Sequence, residues 1–397
     1  MKQSIKKLAR GLHAELSLPI AARRQRARDR QGLPEQDPGI EATVAAAVTW
    51  LCRAQDQSAS ADGGVARDFS LVKGWATSYP ETTGYIIPTM LDVADERDDA
   101  DLRERTRHML DWLVIIQFPE GGFQGGKVDA SIRVPVTFNT GQILLGLARG
   151  AADFGKPYLE PMHRAARWLV DTQDPDGCWR RHPTPFAAAG EKAYETHVAW
   201  GLLEAARVAP KTDYGAAALR NVRWALTKQQ ANGWFADCCL SDPTRPLTHT
   251  IGYALRGVVE AWRFSHDETF LEAARKTADA IVRVTAADGR LPGQWRNDWS
   301  PAADWVCLTG SVQIAHSLLL LYQDTGHPPY LDTARRLNAW VRRTVDLSGS
   351  ADIRGGVKGS FPIDGAYGQY EYLNWAAKFF VDSNRYEQAM LEAVSPS

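Results

Sequence analysis

The sequence predicts an all-α fold, an (α/α)6 toroid in which six helical hairpins close into one ring. Three observations predict it. A Trp–Gln–Gly–aromatic pattern recurs along the 397 residues, an amphipathic helix opens each copy, and a more apolar helix follows.

Trp50, Trp112, Trp168 and Trp224 stand at the same step before Gln55, Gln117, Gln173 and Gln229. Three copies run on with identical spacing, from Trp112 to Phe123, Trp168 to Trp179 and Trp224 to Phe235. The first copy has a longer turn, reaching Gly63-Gly64. Ala280 to Gly289 is a degenerate copy with Thr285 in the glutamine place, and Trp340 opens the last, ending at Gly355-Gly356-Val357. Segments such as HRAARWLVDTQ and LRNVRWALTKQ place apolar residues on one helical face, and the D-G or N-G turn beyond stops the helix.

The second helices are expected to start near YPETTGYIIPTML, FNTGQILLGL, YETHVAWGLLEAA, LTHTIGYALRGVV, LTGSVQIAHSLLLL and YEYLNWAAKFF. Gly63 to Thr82, Gly121 to Thr140 and Gly177 to Thr196 are equal steps, which makes these threonines equivalent markers of the helix start. Outer and inner helices of this kind bury their faces only when the ring closes. No linker rich in Gly, Ser or Pro divides it, so residues 39–397 read as one toroid domain behind a basic N-terminal arm, 1–38.

A hydrophobic content of 44% supports a large core, and a net charge of −1 gives no global field for nucleic acid. No stretch is long enough to span a bilayer. The arm carries Lys2, Lys6, Lys7, Arg10, Arg23, Arg24, Arg26, Arg28 and Arg30, which suits a solvated segment or peripheral contact with anionic lipid. Five scattered cysteines without a C-x-x-C pair point to a reducing, cytoplasmic setting.

The run Arg164 to Trp179, R-A-x-x-W-L-x-x-x-Q-x-x-x-G-x-W, resembles the QW motif of squalene and hopene cyclases. The looser copies look like protein prenyltransferase β-subunits and other toroids of the terpenoid cyclase-like superfamily. The resemblance implies the fold, with the glutamine capping helices and the aromatic packing between repeats. It also implies an isoprenoid-handling alternative function. The catalytic D-x-D-D of those cyclases is absent, as is D-D-x-x-D, and Asp95-Glu96-Arg97-Asp98-Asp99 reads as solvated charge. Asp237-Cys238-Cys239 with His249 or His316 is the sole zinc candidate; buried structural cysteines account for it better, and no metal or cofactor is assigned.

The residue before each helix-start threonine varies: Glu81, Asn139, Glu195, His249 and Leu308, with Glu371 in the last unit. Helix caps explain each one singly. A shared mouth lined by acid, amide and imidazole explains why one repeat position diversifies. Glu81, Glu195, His249, His197 and Glu371 are therefore the candidate catalytic residues. Asn139, Arg133, Tyr79, Tyr194 and Tyr370, with the rim tryptophans Trp75, Trp299 and Trp305, are the candidate substrate-binding ones. Cations recur in the same loops, among them Arg67, Lys73, Lys127, Arg180, Arg181, Arg245, Arg296, Arg354 and Lys358, and favour an anionic ligand.

The expected function is an enzyme acting on an anionic, uronate-containing oligo- or polysaccharide, free or carried on a lipid. Elimination or epimerisation would use His or Tyr to move a proton, and hydrolysis would use two carboxylates. A non-catalytic polysaccharide-binding toroid is the further alternative, with ring residues locked in caps.

Overall fold

The computed structural model describes residues 18–394. Helices α1 (Ile20–Asp29) and α2 (Ile40–Asp56) precede five inner–outer hairpins. These are α3 (Pro80–Arg97) with α4 (Ala100–Ile116), α5 (Thr137–Phe154) with α6 (Lys156–Thr172), α7 (Thr196–Val208) with α8 (Tyr214–Leu226), α9 (Thr248–Ser265) with α10 (Glu268–Val284), and α11 (Leu308–Thr325) with α12 (Pro328–Arg342). The last inner helix, α13 (Asn374–Val394), packs on α2, so the two ends of the chain build the sixth hairpin together. Around the inner ring α3, α5, α7, α9, α11 and α13 each touch the next, and α13 returns to α3. This is the (α/α)6 toroid.

The repeat residues hold neighbouring outer helices together. Gln117 donates its amide to the carbonyls of Gly121, in its own turn, and of Pro161 on α6, both at 2.9 Å. Gln173 does the same with Gly177 and Ala217, both at 3.0 Å, and Gln55 with Gly63 and Arg105, both at 3.1 Å. Thr285, in the degenerate copy, bonds only back to Ile281 of its own helix. The turn glycine is needed twice over. Gly121 has φ +106°, and a Cβ there would sit 2.3 Å from the Arg164 carbonyl oxygen of the next outer helix. Gly121→Ala is expected to cost about 3 kcal/mol in urea unfolding, from strain plus the clash. A loss below about 1 kcal/mol would show that the turn is not clamped.

Two small antiparallel sheets dress one end of the ring. Strands β1 (Asp68–Ser70), β2 (Gly74–Trp75) and β5 (Glu371–Leu373) run in the order β2-β1-β5, with Ser70 opposite Glu371. Strands β3 (Val306–Cys307) and β4 (Ser360–Phe361) form the other. The first sheet matters for chemistry, because it lays the loop before α13 against the loop before α3.

Part of the basic arm is docked. Asp29 at the end of α1 is buried and accepts from Lys358 at 2.6 Å and from the Ile363 backbone N–H at 2.9 Å. Arg28 and Arg30 are paired with Asp346 and Asp364. Lys2, Lys6, Lys7 and Arg10 lie outside the described residues.

Candidate active site

Where the inner helices begin, the ring opens into a cavity of about 880 Å³. None of the inner helices α3, α5, α7, α9 and α11 uses a side chain to cap its N-terminus, so the polar residues there are free for other work. Glu81, Asn139, His249 and Glu371 all line this cavity, as do Tyr79, Tyr194 and Trp75.

Glu81 is the centre of a polar cluster. Asn139 donates to its Oε2 at 2.8 Å, and the Tyr79 hydroxyl hydrogen-bonds to the same carboxyl. Burial dominates those partners and the nearby Arg67 charge, and pushes the Glu81 pKa up to about 8. Glu81 therefore holds its proton at neutral pH. Beside it, Arg67 pairs with Asp68 at 2.5 Å and with Glu371 at 3.1 Å, an arrangement made by the β1–β5 pairing. The Arg67 guanidinium also lies 5.2 Å from the Trp375 ring centroid.

His249 stands on α9 with its Nδ1 2.7 Å from the Gln313 carbonyl oxygen. That oxygen accepts only, so Nδ1 carries the proton and Nε2 keeps its lone pair. Desolvation lowers the His249 pKa to about 4. The ring packs on Tyr253 at 4.3 Å and Tyr367 at 5.3 Å. Nitrogen-15 NMR is expected to show a neutral, Nδ1-protonated His249 down to about pH 5. A protonated ring at pH 6 would remove it as a base.

Several expected residues are not in this cavity, and the register of the inner helices explains the most instructive case. The Val65 N–H bonds to Thr83 at 3.0 Å, as the Phe123 N–H bonds to Thr140 at 2.9 Å. Thr83, not Thr82, is therefore the partner of Thr140. Close helix contacts continue the register: the carbonyls of Gly84, Gly141 and Thr196 lie against Gly146, Gly201 and Gly257 of the following inner helix. Glu195 thus occupies the place of Thr83 and Thr140, whose hydroxyls face back into the repeat loop. It is buried near Cys178 and Lys192, one carboxyl oxygen has no hydrogen-bond partner, and burial raises its pKa to about 8. Tyr194, in the place of Asn139, faces the cavity instead.

His197 lies one residue deeper than that contact, in a layer formed with Tyr85, Gln142 and Tyr253. Its Nδ1 is 2.6 Å from the Gln142 carbonyl oxygen, and burial holds it neutral. Arg133 bonds to Gln124 at 3.1 Å and does not reach the cavity. Tyr370 is a turn residue at φ +60°, with its carbonyl accepting from Leu71. Trp299 packs edge-on against Trp234 at 5.4 Å and donates to the Asn232 carbonyl, while the Trp305 ring fills the space beside Gly293 that a Cβ would need. Both tryptophans serve loop packing.

Of the loop cations, Arg67, Lys73 and Lys127 line the mouth. Arg180 is taken up by Asp174, Asp176 and Glu191, and Lys358 by Asp29. Cys238 donates its thiol to the Thr250 carbonyl, and His316 stands in a different cavity. Sequence reasoning missed the aromatic lining: Phe138, Tyr253, Tyr367 and Trp375 inside, with Phe186, 64% exposed, at the rim. Their three-dimensional convergence has no local signature.

The mouth is thus aromatic-lined yet carries a cluster of carboxyl groups, Asp68, Glu81 and Glu371, where an isoprenoid pocket calls for aromatic side chains without one. Comparison with solved structures finds the same toroid in a heparin-specific unsaturated glucuronyl hydrolase, at TM-score 0.71 and 15% identity over 90% of this chain and 99% of that one. A D-mannose isomerase matches at TM-score 0.70 and 12% identity, over 90% and 100% of the two chains. Cellobiose 2-epimerase from Bacillus thermoamylovorans B4167 matches at 0.69 and 11%, over 86% and 96%. At these identities the likeness is one of fold, among (α/α)6 toroid enzymes. No family model matches the sequence.

Proposed function

We propose that this protein is a hydrolase of short, uronate-containing oligosaccharides, with Glu81 as the proton donor. The observation that carries the reading is a carboxyl kept protonated by burial in the same cavity as a second carboxylate, Glu371, ion-paired to Arg67. Glu81 would protonate the leaving oxygen, and Glu371 would receive the proton of the attacking water. Asn139 and Tyr79 hold the acid in place. Arg67 is shared by Asp68 and Glu371 and Lys127 lies 3.8 Å from Asp129, which leaves Lys73 as the mouth cation with no ion pair among the described residues, to meet an anionic sugar. Trp75, Tyr194, Trp375 and Phe186 offer flat faces for sugar rings. That one structural neighbour is a glucuronyl hydrolase supports the same choice.

A second reading rests on His249, whose neutral Nε2 could take a carbon-bound proton beside a carbonyl and so epimerise a reducing sugar. One experiment separates the two. Uronate-capped and neutral reducing oligosaccharides are incubated with the protein in D₂O. New reducing ends indicate hydrolysis, and deuterium uptake without cleavage indicates epimerisation. An ultraviolet-absorbing unsaturated end indicates elimination. None of the three would leave a binding toroid.

A lipid-linked substrate belongs to the same proposal, with Arg23 and Arg24 of α1 as the membrane-facing cations and a reducing compartment for the unpaired cysteines. Co-sedimentation with anionic vesicles tests that contact.

A further inference from the structure

We propose that the toroid carries a second ligand site, at the end opposite the catalytic mouth, for a neutral sugar or similar polyol. Beneath the Tyr85–His197–Tyr253 layer lies a second cavity of about 970 Å³. That is ample for a mono- or disaccharide. Its deepest wall is built from ionisable groups that the proposed chemistry does not use. Lys378 donates to Asp382 at 2.6 Å, and Arg256 pairs with Glu260 at 2.8 Å and reaches His316 Nδ1 at 3.1 Å. All five side chains are buried or nearly so. Burial pushes the Lys378 and His316 pKa values down.

Stability does not account for these groups, because desolvating an ion pair generally costs as much as the pair returns. Helix-end electrostatics does not either. Lys378 lies near the start of α13, and Arg256 and His316 lie in mid-helix, far from the carbonyl ends that attract cations. A cluster of perturbed ionisable groups around an open cavity is the mark of a ligand site.

The ligand's charge follows from the pairing. Every arginine and lysine on this wall has a carboxylate within ion-pair distance, so neither an anion nor a cation meets an uncompensated partner. Paired charges do offer strong donors beside strong acceptors. The Lys378 ammonium has three N–H groups; it gives one to Asp382 and lies over the Phe379 and Tyr85 rings, at 4.4 and 5.4 Å from their centroids. Hydroxyl groups, which donate and accept at once, match such a surface. Trp200 and Tyr386 supply aromatic walls. Tyr85 lines both cavities, so a sugar at the back presses on the floor of the mouth.

The test is calorimetric titration with D-glucose, D-mannose and cellobiose, in a Glu81→Gln background to prevent turnover. Ala389 and Ala152 are exposed on the rim of the back cavity, so Ala389→Trp and Ala152→Trp plug it without entering the core. A neutral sugar is expected to bind at the back cavity, with either plug weakening that binding by at least tenfold. The proposal is overturned if both folded, plugged variants titrate like their parent. It is equally overturned if glucose 6-phosphate or glucosamine binds the plug-sensitive site more tightly than glucose. Both results are independent of whether the mouth hydrolyses anything.

Discussion

Glu81→Gln is expected to lower kcat/KM for oligosaccharide hydrolysis by roughly 10³-fold while leaving the fold intact, because the amide keeps the shape and loses the transferable proton. The wild-type rate should fall as pH rises through about 8, where Glu81 ionises, and the variant's residual rate should lack that limb. An unchanged rate, or a limb that persists in the variant, would remove Glu81 as the acid. Glu195 is the built-in control. Its carboxyl is also raised to about 8, yet it lies outside the mouth, so Glu195→Gln should leave turnover unaltered. It should instead alter stability. A carboxyl that titrates near 4.5 unfolded and near 8 folded stabilises the native state fully below about pH 4.5, and that contribution is lost as pH rises through 8. Glu195→Gln should thus gain stability relative to the parent at alkaline pH, on the order of 5 kcal/mol, and little at pH 5. Thermal unfolding at the two pH values checks the sign.

Asp29→Ala is expected to cost about 3–5 kcal/mol of unfolding free energy. It would strand the Lys358 ammonium, 2% exposed, and leave the Ile363 N–H without its acceptor. The double variant Asp29→Leu, Lys358→Met should recover most of the loss, since it removes both charges together. If the single substitution costs less than about 1 kcal/mol in urea, α1 is not a structural part of the ring.

The architecture was legible because its glutamines and glycines are contacts between repeats, and a contact made repeatedly leaves a period in the sequence. The mouth was legible only in part. Glu81, Asn139 and His249 share a cavity because helix starts converge, which the period implies. The pairing of Arg67 with Glu371 joins residues from opposite ends of the chain through a sheet too short to show an alternation. Counting from turn glycines slipped by one residue at Thr83, since the first loop is longer, and a single residue is enough to turn a helical side chain aside. Glu195 was misplaced differently: the 3-10 turn Ala193–Glu195 precedes α7, and nothing in the composition announces it. The back cavity had no signal at all, since its charged residues look like solvent-facing positions of an inner helix.

The pairing of α2 with α13 has a consequence for how the chain comes into being. Every other hairpin joins neighbours in sequence and can form as it leaves the ribosome. The sixth cannot, because all five other hairpins lie between its two halves in the sequence. Until α13 has followed the other ring helices, the apolar side of α2 and the open flank of α3 lack their partner, so the nascent arc is sticky at its α2 end. Sealing is a single late event, and the rate at which the final segment finds that gap sets how long the molecule is vulnerable to aggregation.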